Sequence, residues 1–441
     1  LTLDEVLASV TSRYPPLLAA LIERDVASGR LRQAQGAFDL TLNANVNSTP
    51  LGFFDGRTGS VFLEQALTSW GAKVYGGYRL SGGFLPNYNL QRTPSDGQLT
   101  AGLRFNLLRD GRIDRDRAAR LRAQLAEAAV DPDIVRARLD FTRAASIAYY
   151  QWVAAGLRLS ASEELLRVAR ERDAAVQEQV RRGALAPIVR TDNERLVVAR
   201  ELALTQAKRR FEAHAIELSL FLRDRDDEPV LAPRSRVPPA FPATTEHDRL
   251  RVDQDTAEAL RRRPELRTLS LSLERLEVDR RLARTDLLPS LDVGVETRQS
   301  PQNRRLPDIE ANETRVGVEF SLPLQRREAD GRLRSVEAQI RQVQTQERFT
   351  RDRITAEIRD THSALAAAAA QVEQASRNVI LAAALEDAER LRFRQGAADL
   401  LALQIREQAT FDARLTELDT YLEYFRSLAN YRAAVVGQPG L

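Results

Sequence analysis

The spacing of apolar residues changes character several times along the chain, and the changes come twice in the same order. Leu3, Val6, Leu7 and Val10, then Leu17, Leu18, Leu21 and Ile22, keep a helical period. Pro15-Pro16 interrupts it, and the pattern runs through Leu31 to a predicted end near Gly36. From Leu40 the period falls to two: Leu40, Leu42, Ala44 and Val46 oppose Thr41, Asn43, Asn45 and Asn47. Leu99, Ala101, Leu103, Phe105 and Leu107 then alternate against Thr100, Gly102, Arg104 and Asn106. Residues 114–222 return to helical spacing, with breaks predicted at Asp131-Pro132 and from Gly183 to Pro187. The order then recurs. Leu291, Val293 and Val295 oppose Asp292, Gly294 and Glu296, and Val316, Val318, Phe320 and Leu322 oppose Arg315, Gly317, Glu319 and Ser321. Residues 331–436 are helical again, with Gly396 as the interior break.

The recurrence extends to residue identities. Gly102-Leu103-Arg104-Phe105-Asn106-Leu107-Leu108 returns as Gly317-Val318-Glu319-Phe320-Ser321-Leu322-Pro323, and Arg182-Gly183 with Glu194 returns as Gln395-Gly396 with Glu407. The chain therefore divides into a first structural repeat over 1–222, holding a β-hairpin at 39–107 and a helical turn near 183. A Pro-rich linker at 223–250 follows, expected to be extended and to lie outside the body. The second repeat covers 251–437, with a β-hairpin at 290–323 and a turn near 396, and 438–441 form a tail. Between the first pair of strands lie about fifty residues rich in Gly, Pro, Tyr and Phe. Trp70 to Leu80 reads there as a strand segment that Val61 to Thr68 could pair with, and Gly76-Gly77 and Ser81-Gly82-Gly83 read as bends. The stretch is expected to be an enlarged hairpin end, partly ordered as a strand extension.

Each alternating segment is about nine or ten residues long, enough to cross a bilayer at a tilt. One alternating strand alone fits a half-buried soluble sheet better. Four strands in two matched hairpins, among helices too polar to cover them, favour the membrane. The helices keep narrow apolar stripes, such as Leu157, Leu165, Val168, Ala175 and Val180, of the kind that form coiled-coil seams. Charged residues make up 29 % and aromatics 6 % of the chain, which suits long solvated helices. No run of about 18 apolar residues exists, so no membrane-spanning helix is expected. The formal net charge of +3 is small and its signs are interspersed, which gives no footprint for nucleic acid.

The chain has no Cys, which excludes disulfides, thiolate metal sites and Cys nucleophiles, and suits the periplasm or cell surface. With no Met either, and a helical pattern opening at Leu1, it reads as a mature protein after removal of a signal peptide. His214, His247 and His362 sit in unrelated contexts, and Gly76-Gly77 and Gly82-Gly83 lack the Lys-Ser/Thr and helix onset of a phosphate loop. No catalytic residue, metal or cofactor is expected, and the chain is not read as an enzyme.

Several motifs in order resemble the outer membrane efflux proteins of the TolC type, over essentially the whole chain. They are Leu1-Thr2-Leu3-Asp4-Glu5-Val6-Leu7 with Tyr14-Pro15-Pro16-Leu17, Arg263-Pro264-Glu265-Leu266 with Leu288-Pro289-Ser290-Leu291, and Phe393-Arg394-Gln395-Gly396-Ala397-Ala398-Asp399-Leu400-Leu401. The resemblance implies an α+β membrane protein with a two-fold internal repeat. Long antiparallel coiled-coil helices would join four transmembrane β-strands per protomer, in a homotrimer with a shared β-barrel and a periplasmic α-barrel. Open strand edges in lipid independently require an oligomer, since barrels start at about eight strands. The implied function is an outer membrane channel of a tripartite efflux or type I secretion system, a passive conduit working with a periplasmic adaptor and an inner-membrane pump. A soluble periplasmic coiled-coil adaptor or scaffold is the competing reading. By resemblance, the adaptor-binding tip and gate comprise Arg181, Arg182, Gly183 and Arg190 in one turn and Phe393, Arg394, Gln395, Gly396, Asp399 and Ala402 in the other. The family's usual acidic gate positions fall here on Ala402 and Ile405, which leaves an apolar constriction or passes the role to Asp399 or Glu407.

Overall fold

The computed structural model describes all residues except 54, 86–91, 245–251, 301–311 and 437–441, so the predicted tail at 438–441 and parts of the linker and hairpin ends lie outside it. Its elements follow the predicted order: α1 (Leu3–Arg13), α2 (Pro15–Gln35), β1 (Thr41–Ser48), β2 (Arg57–Ala66), β3 (Lys73–Gly82), β4 (Gln98–Asn106), α3 (Arg115–Arg181), α4 (Pro187–Ser219), α5 (Val252–Arg262), α6 (Pro264–Thr285), β5 (Ser290–Gln299), β6 (Asn312–Ser321), α7 (Arg327–Arg394) and α8 (Leu400–Ala434). Two breaks use one device. Tyr14 before Pro15 is extended, which parts α1 from α2, and Arg263 before Pro264 parts α5 from α6, because a proline disfavours helix at the residue before it.

The chain folds as two compact units, each built from both repeats. The first (Leu1–Ile22, Asp133–Leu266, Phe349–Leu441) is helical. Its core gathers Val6, Val10, Tyr149, Tyr150, Trp152, Leu218, Leu365, Tyr424 and Phe425. Tyr150 stacks on Phe425 at 4.2 Å between ring centroids. The described part of the linker, 223–244, is not extended throughout, since Arg223 bridges Pro229 and Arg234–Arg236 form a 3-10 turn, and it is not all on the outside. Phe241 stacks against Tyr421 and Phe425, Ala232 is buried, and Val237 sits so close to Gly156 that a Cβ there would meet it at 2.7 Å. Apolar side chains between the prolines draw it into the core.

The second unit (Glu23–Pro132, Arg267–Arg348) holds one antiparallel sheet in the order β1-β2-β3-β4-β5-β6, with the junctions between strands and helices beneath it. β4 pairs with β5, joining the two repeats through Leu103↔Val295 and Phe105↔Val293. The junctions are fixed by ion pairs. Asp286, between α6 and β5, receives Arg109 from beyond β4 at 3.2 Å and Arg332 of α7 at 2.5 Å. Arg117 binds Asp114 at 2.9 Å and the carbonyls of Gly111 and Arg112 at 3.1 Å. Burial, with Asp114 and Asp286 nearby, holds the Asp110 carboxyl above its ordinary pKa, although Arg109 opposes this.

Two further expectations are corrected. Among the described residues the sheet has six strands, where four transmembrane strands in two hairpins were expected, because the stretch between the first pair forms β2 and β3 in full. In addition, α3 runs unbroken through Pro132. Pro132 is buried between Val130 and Ile134, both also buried, so packing holds the helix despite the lost backbone donor. The division between the two units falls at this proline.

Candidate functional site

The register of the sheet aligns side chains into rows across all six strands. On one face run Leu42–Leu63–Gly76–Ala101–Thr297–Thr314 and Ala44–Val61–Tyr78–Leu99, with Val74–Leu103–Val295–Val316 beside them. On the other run Glu64–Tyr75–Gly102–Glu296–Arg315 and Phe62–Gly77–Thr100–Arg298–Glu313. A soluble sheet buries its apolar face; this one exposes it. Val61 and Leu63 are each 47 % exposed, and Val316 and Val318 each 66 %, while Gln98, Thr100 and Arg298 on the polar face are buried. The polar face is a bonded layer. Tyr75 donates its hydroxyl across β4 to Glu296 at 2.8 Å, and Arg298 joins Glu296 at 2.6 Å and Glu313 at 3.5 Å.

Glycine makes that reach possible. A Cβ on Gly102 would lie 2.3 Å from the Tyr75 ring, and one on Gly77 would lie 2.7 Å from Phe62. The rings of β2 and β3 therefore lie over bare backbone of their neighbours. No described helix is long and apolar enough to cross a membrane.

The two helical turns in the other unit share one geometry. Gly183 and Gly396 both adopt left-handed backbone, φ 75° and 73°. At the first, Gly183 N–H donates to Val180 O at 3.0 Å and Ala184 N–H to Gln179 O at 2.9 Å. At the second, Gly396 N–H donates to Phe393 O at 3.0 Å and Ala397 N–H to Arg392 O at 2.8 Å. Both are the crossed pair of bonds that satisfies the last carbonyls of a helix. The helices that leave differ: α4 begins with Pro187 at its first position and no side-chain cap, whereas Asp399 caps α8 by accepting from Ala402 N–H at 2.7 Å.

The predicted site residues fall on these turns. Arg181, Arg182, Gly183, Arg190, Phe393, Arg394, Gln395, Gly396 and Asp399 are exposed, and Ala402 is half-exposed. Arg181 and Arg182 both pair with Glu178, the latter at 2.7 Å, and Arg190 pairs with Glu194 at 2.8 Å. Among the described residues, none pairs with the Arg394 guanidinium. Ile405 is 57 % exposed and Leu401 64 %, so the start of α8 presents an apolar patch.

Glu407 is different. Its side chain is 3 % exposed, paired with Arg172 of α3 and facing Arg200 of α4 at 3.7 Å. Asn193 of α4 donates to Asp173 of α3 at 2.7 Å alongside, and Arg200 donates to Leu165 O at 3.2 Å. Burial pulls the Arg200 pKa below its ordinary value, and the charge of Glu407 opposes that pull. A polar layer thus ties α3, α4 and α8 together. The sequence carried a signal for it: Leu165, Ala169, Arg172 and Val176 keep seam spacing, and so do Leu403, Glu407 and Thr410.

Comparison with known proteins agrees with this geometry. Residues 256–435 match the sequence model of the outer membrane efflux proteins. No curated protein matches the chain at a significant level. Among solved structures, the outer membrane protein VceC from Vibrio cholerae superposes with TM-score 0.71 at 16 % identity, over 99 % of this chain and 96 % of its own. The Campylobacter jejuni CmeC outer membrane channel gives 0.70 at 16 %, over 98 % and 85 %. The Neisseria gonorrhoeae MtrE outer membrane channel gives 0.68 at 16 %, over 99 % and 89 %. Residues 256–435 thus resemble the outer membrane efflux proteins, and throughout the chain has the fold of the outer membrane channels VceC, CmeC and MtrE.

Proposed function

We propose that the chain is the outer membrane conduit of a tripartite efflux or type I secretion system, a homotrimer fed by an inner-membrane pump through a periplasmic adaptor. In this reading it resides in the Gram-negative outer membrane and extends into the periplasm, which the match of 256–435 to the outer membrane efflux proteins supports. The observation that carries the proposal is the inverted burial of the sheet, apolar side chains out and polar ones in. In lipid, both open edges, β1 and β6, would leave backbone groups unpaired, so copies must join edge to edge in a ring. A channel of this kind supplies a path and no energy, and direction comes from the pump. The periplasmic end opens as a population shift when the adaptor engages the turns at Gly183 and Gly396. A soluble adaptor has no use for a wide exposed apolar sheet, which disfavours that reading.

The test is extraction followed by native mass and planar-bilayer conductance. A detergent-dependent oligomer with stable conductance is expected; a soluble monomer without detergent would sink the proposal. For the turns, Phe393→Glu and Arg394→Glu should impair export at normal membrane levels, and undiminished export by both would count against their adaptor role.

A further inference from the structure

We infer that β2 and β3 are part of the membrane wall itself, so that each copy contributes six strands and three copies enclose a wide, eighteen-stranded lumen. The inference rests on the proposed channel function, and three observations carry it. Register comes first. β3 pairs with β4 from Lys73↔Arg104 to Arg79↔Gln98, and β2 pairs with β3 along its whole length, so both lie at the height of β4. β4 in turn pairs with β5 from Asn106↔Asp292 to Leu99↔Gln299. If β4 and β5 cross the bilayer, β2 and β3 cross it with them. A hairpin projecting beyond the membrane would pair above those rows.

Length and sidedness agree. β2 and β3 are ten residues each, the same as β5 and β6. Their exposed apolar residues Val61, Leu63, Val74 and Leu80 share the face of Leu103, Val295 and Val318, and Ser60, Glu64, Lys73 and Arg79 share the face of Glu296. An extension in water has no reason to keep an apolar face continuous with a lipid-facing one. Finally, the hairpin is built into the wall, since Tyr75 of β3 lies over Gly102 of β4 and reaches Glu296 of β5.

Width follows from strand number. With strands about 4.8 Å apart and tilted about 40°, twelve strands close at a backbone diameter of about 24 Å and eighteen at about 36 Å. Barrels of the larger class hold an open aqueous channel. The added lumenal surface carries both charge signs, from Glu64, Lys73 and Arg79, alongside Tyr75 and Phe62. Such a lining suits bulky, mixed-charge cargo rather than one small ion.

The chain has no Cys, so single-cysteine probes can be placed in the full-length assembled channel. Leu63→Cys and Val74→Cys test the outward face, and Ser60→Cys and Glu64→Cys the lumen, with Leu103→Cys, Val295→Cys and Val318→Cys as controls on the other strands. In proteoliposomes, a fluorophore at positions 63 and 74 should be quenched by nitroxide-labelled phospholipid as strongly as the controls, at least about threefold more than at 60 and 64. Positions 60 and 64 should instead react with a hydrophilic thiol reagent. If positions 63 and 74 react freely with that reagent while the controls stay quenched, the hairpin stands in water and the inference falls, with the channel intact. If the controls also escape quenching, the channel proposal itself falls. Polymer exclusion from the open pore gives the second readout, and a cut-off matching a twelve-stranded barrel would overturn the width.

Discussion

Glu407→Gln exchanges a buried carboxylate for an uncharged side chain of the same shape and leaves Arg172 and Arg200 facing a neutral group. The guanidiniums are 12 % and 4 % exposed, so water cannot replace the lost charge. Stranding a buried charge in this way costs about 3–5 kcal/mol, and since Gln still accepts a hydrogen bond, the lower end, about 3 kcal/mol, is expected. That corresponds to roughly a 150-fold rise in local opening. Hydrogen exchange of the assembled protein in detergent measures it directly, at backbone amides of α8 around Leu403–Thr410 and of α4 around Asn193–Arg200. The faster exchange should be confined to the helical unit, leaving the strands β4 and β5 unchanged. Adding Arg172→Met to Glu407→Gln removes one stranded charge and should recover part of the loss. An exchange rate within about twofold of wild type, or a double variant worse than the two single effects combined, would refute the view that this layer pins α8 to α3 and α4.

Gly183→Ala and Gly396→Ala meet open space, with nothing within 4 Å of the new Cβ, so each should cost only backbone strain, about 1–2 kcal/mol, seen as faster exchange at the turn without loss of the oligomer. Val318→Arg places charge on the exposed apolar face of β6 and should cost about 2–4 kcal/mol if mid-bilayer, read as loss of membrane-assembled oligomer. Tyr149 and Tyr150 have pKa values pushed up to about 12, chiefly by burial. The unfolded chain ionises them near 10, so their contribution is full below pH 10 and is lost as pH rises through 12, up to about 2 kcal/mol each. Melting of the helical unit should therefore shift down from pH 9 to pH 11, and tyrosinate absorbance should appear late. A tyrosine titration complete by pH 10.5 would contradict the burial.

Most elements could be read from the chain because their periods are clean. Leu99 to Leu107 and Val316 to Leu322 alternate without interruption, and Tyr14-Pro15 and Gly396 punctuate helices in ways that local sterics enforce. β3 was harder. Gly76-Gly77 and Ser81-Gly82 read as bends, yet all four residues lie within the strand. A neighbouring aromatic supplies the surface that a glycine lacks, and Phe62 covers Gly77 from the adjacent strand, a pairing invisible until register is known. Pro132 misleads for a related reason: its cost is local, while the packing that keeps α3 unbroken comes from burial along the helix. The turn residues lie on exposed or half-exposed positions, but the Arg172–Glu407 layer was not assembled from the sequence. Its members lie 235 residues apart and meet only when the first and second repeats pack together.

The hairpin of β2 and β3 also has a parity. Because β1 and β4 already run in opposite directions, residues between them can enter the sheet only as an even number of strands, and one hairpin is the smallest such gain. Its removal would return β1 to the side of β4 with both directions preserved, losing the hydrogen bond from Tyr75 to Glu296. In the proposed barrel, a wall that grows two strands at a time would change bore in steps while the helices keep their sequence and their turns. Bore and helical machinery would then be separable traits, set by different segments of one chain.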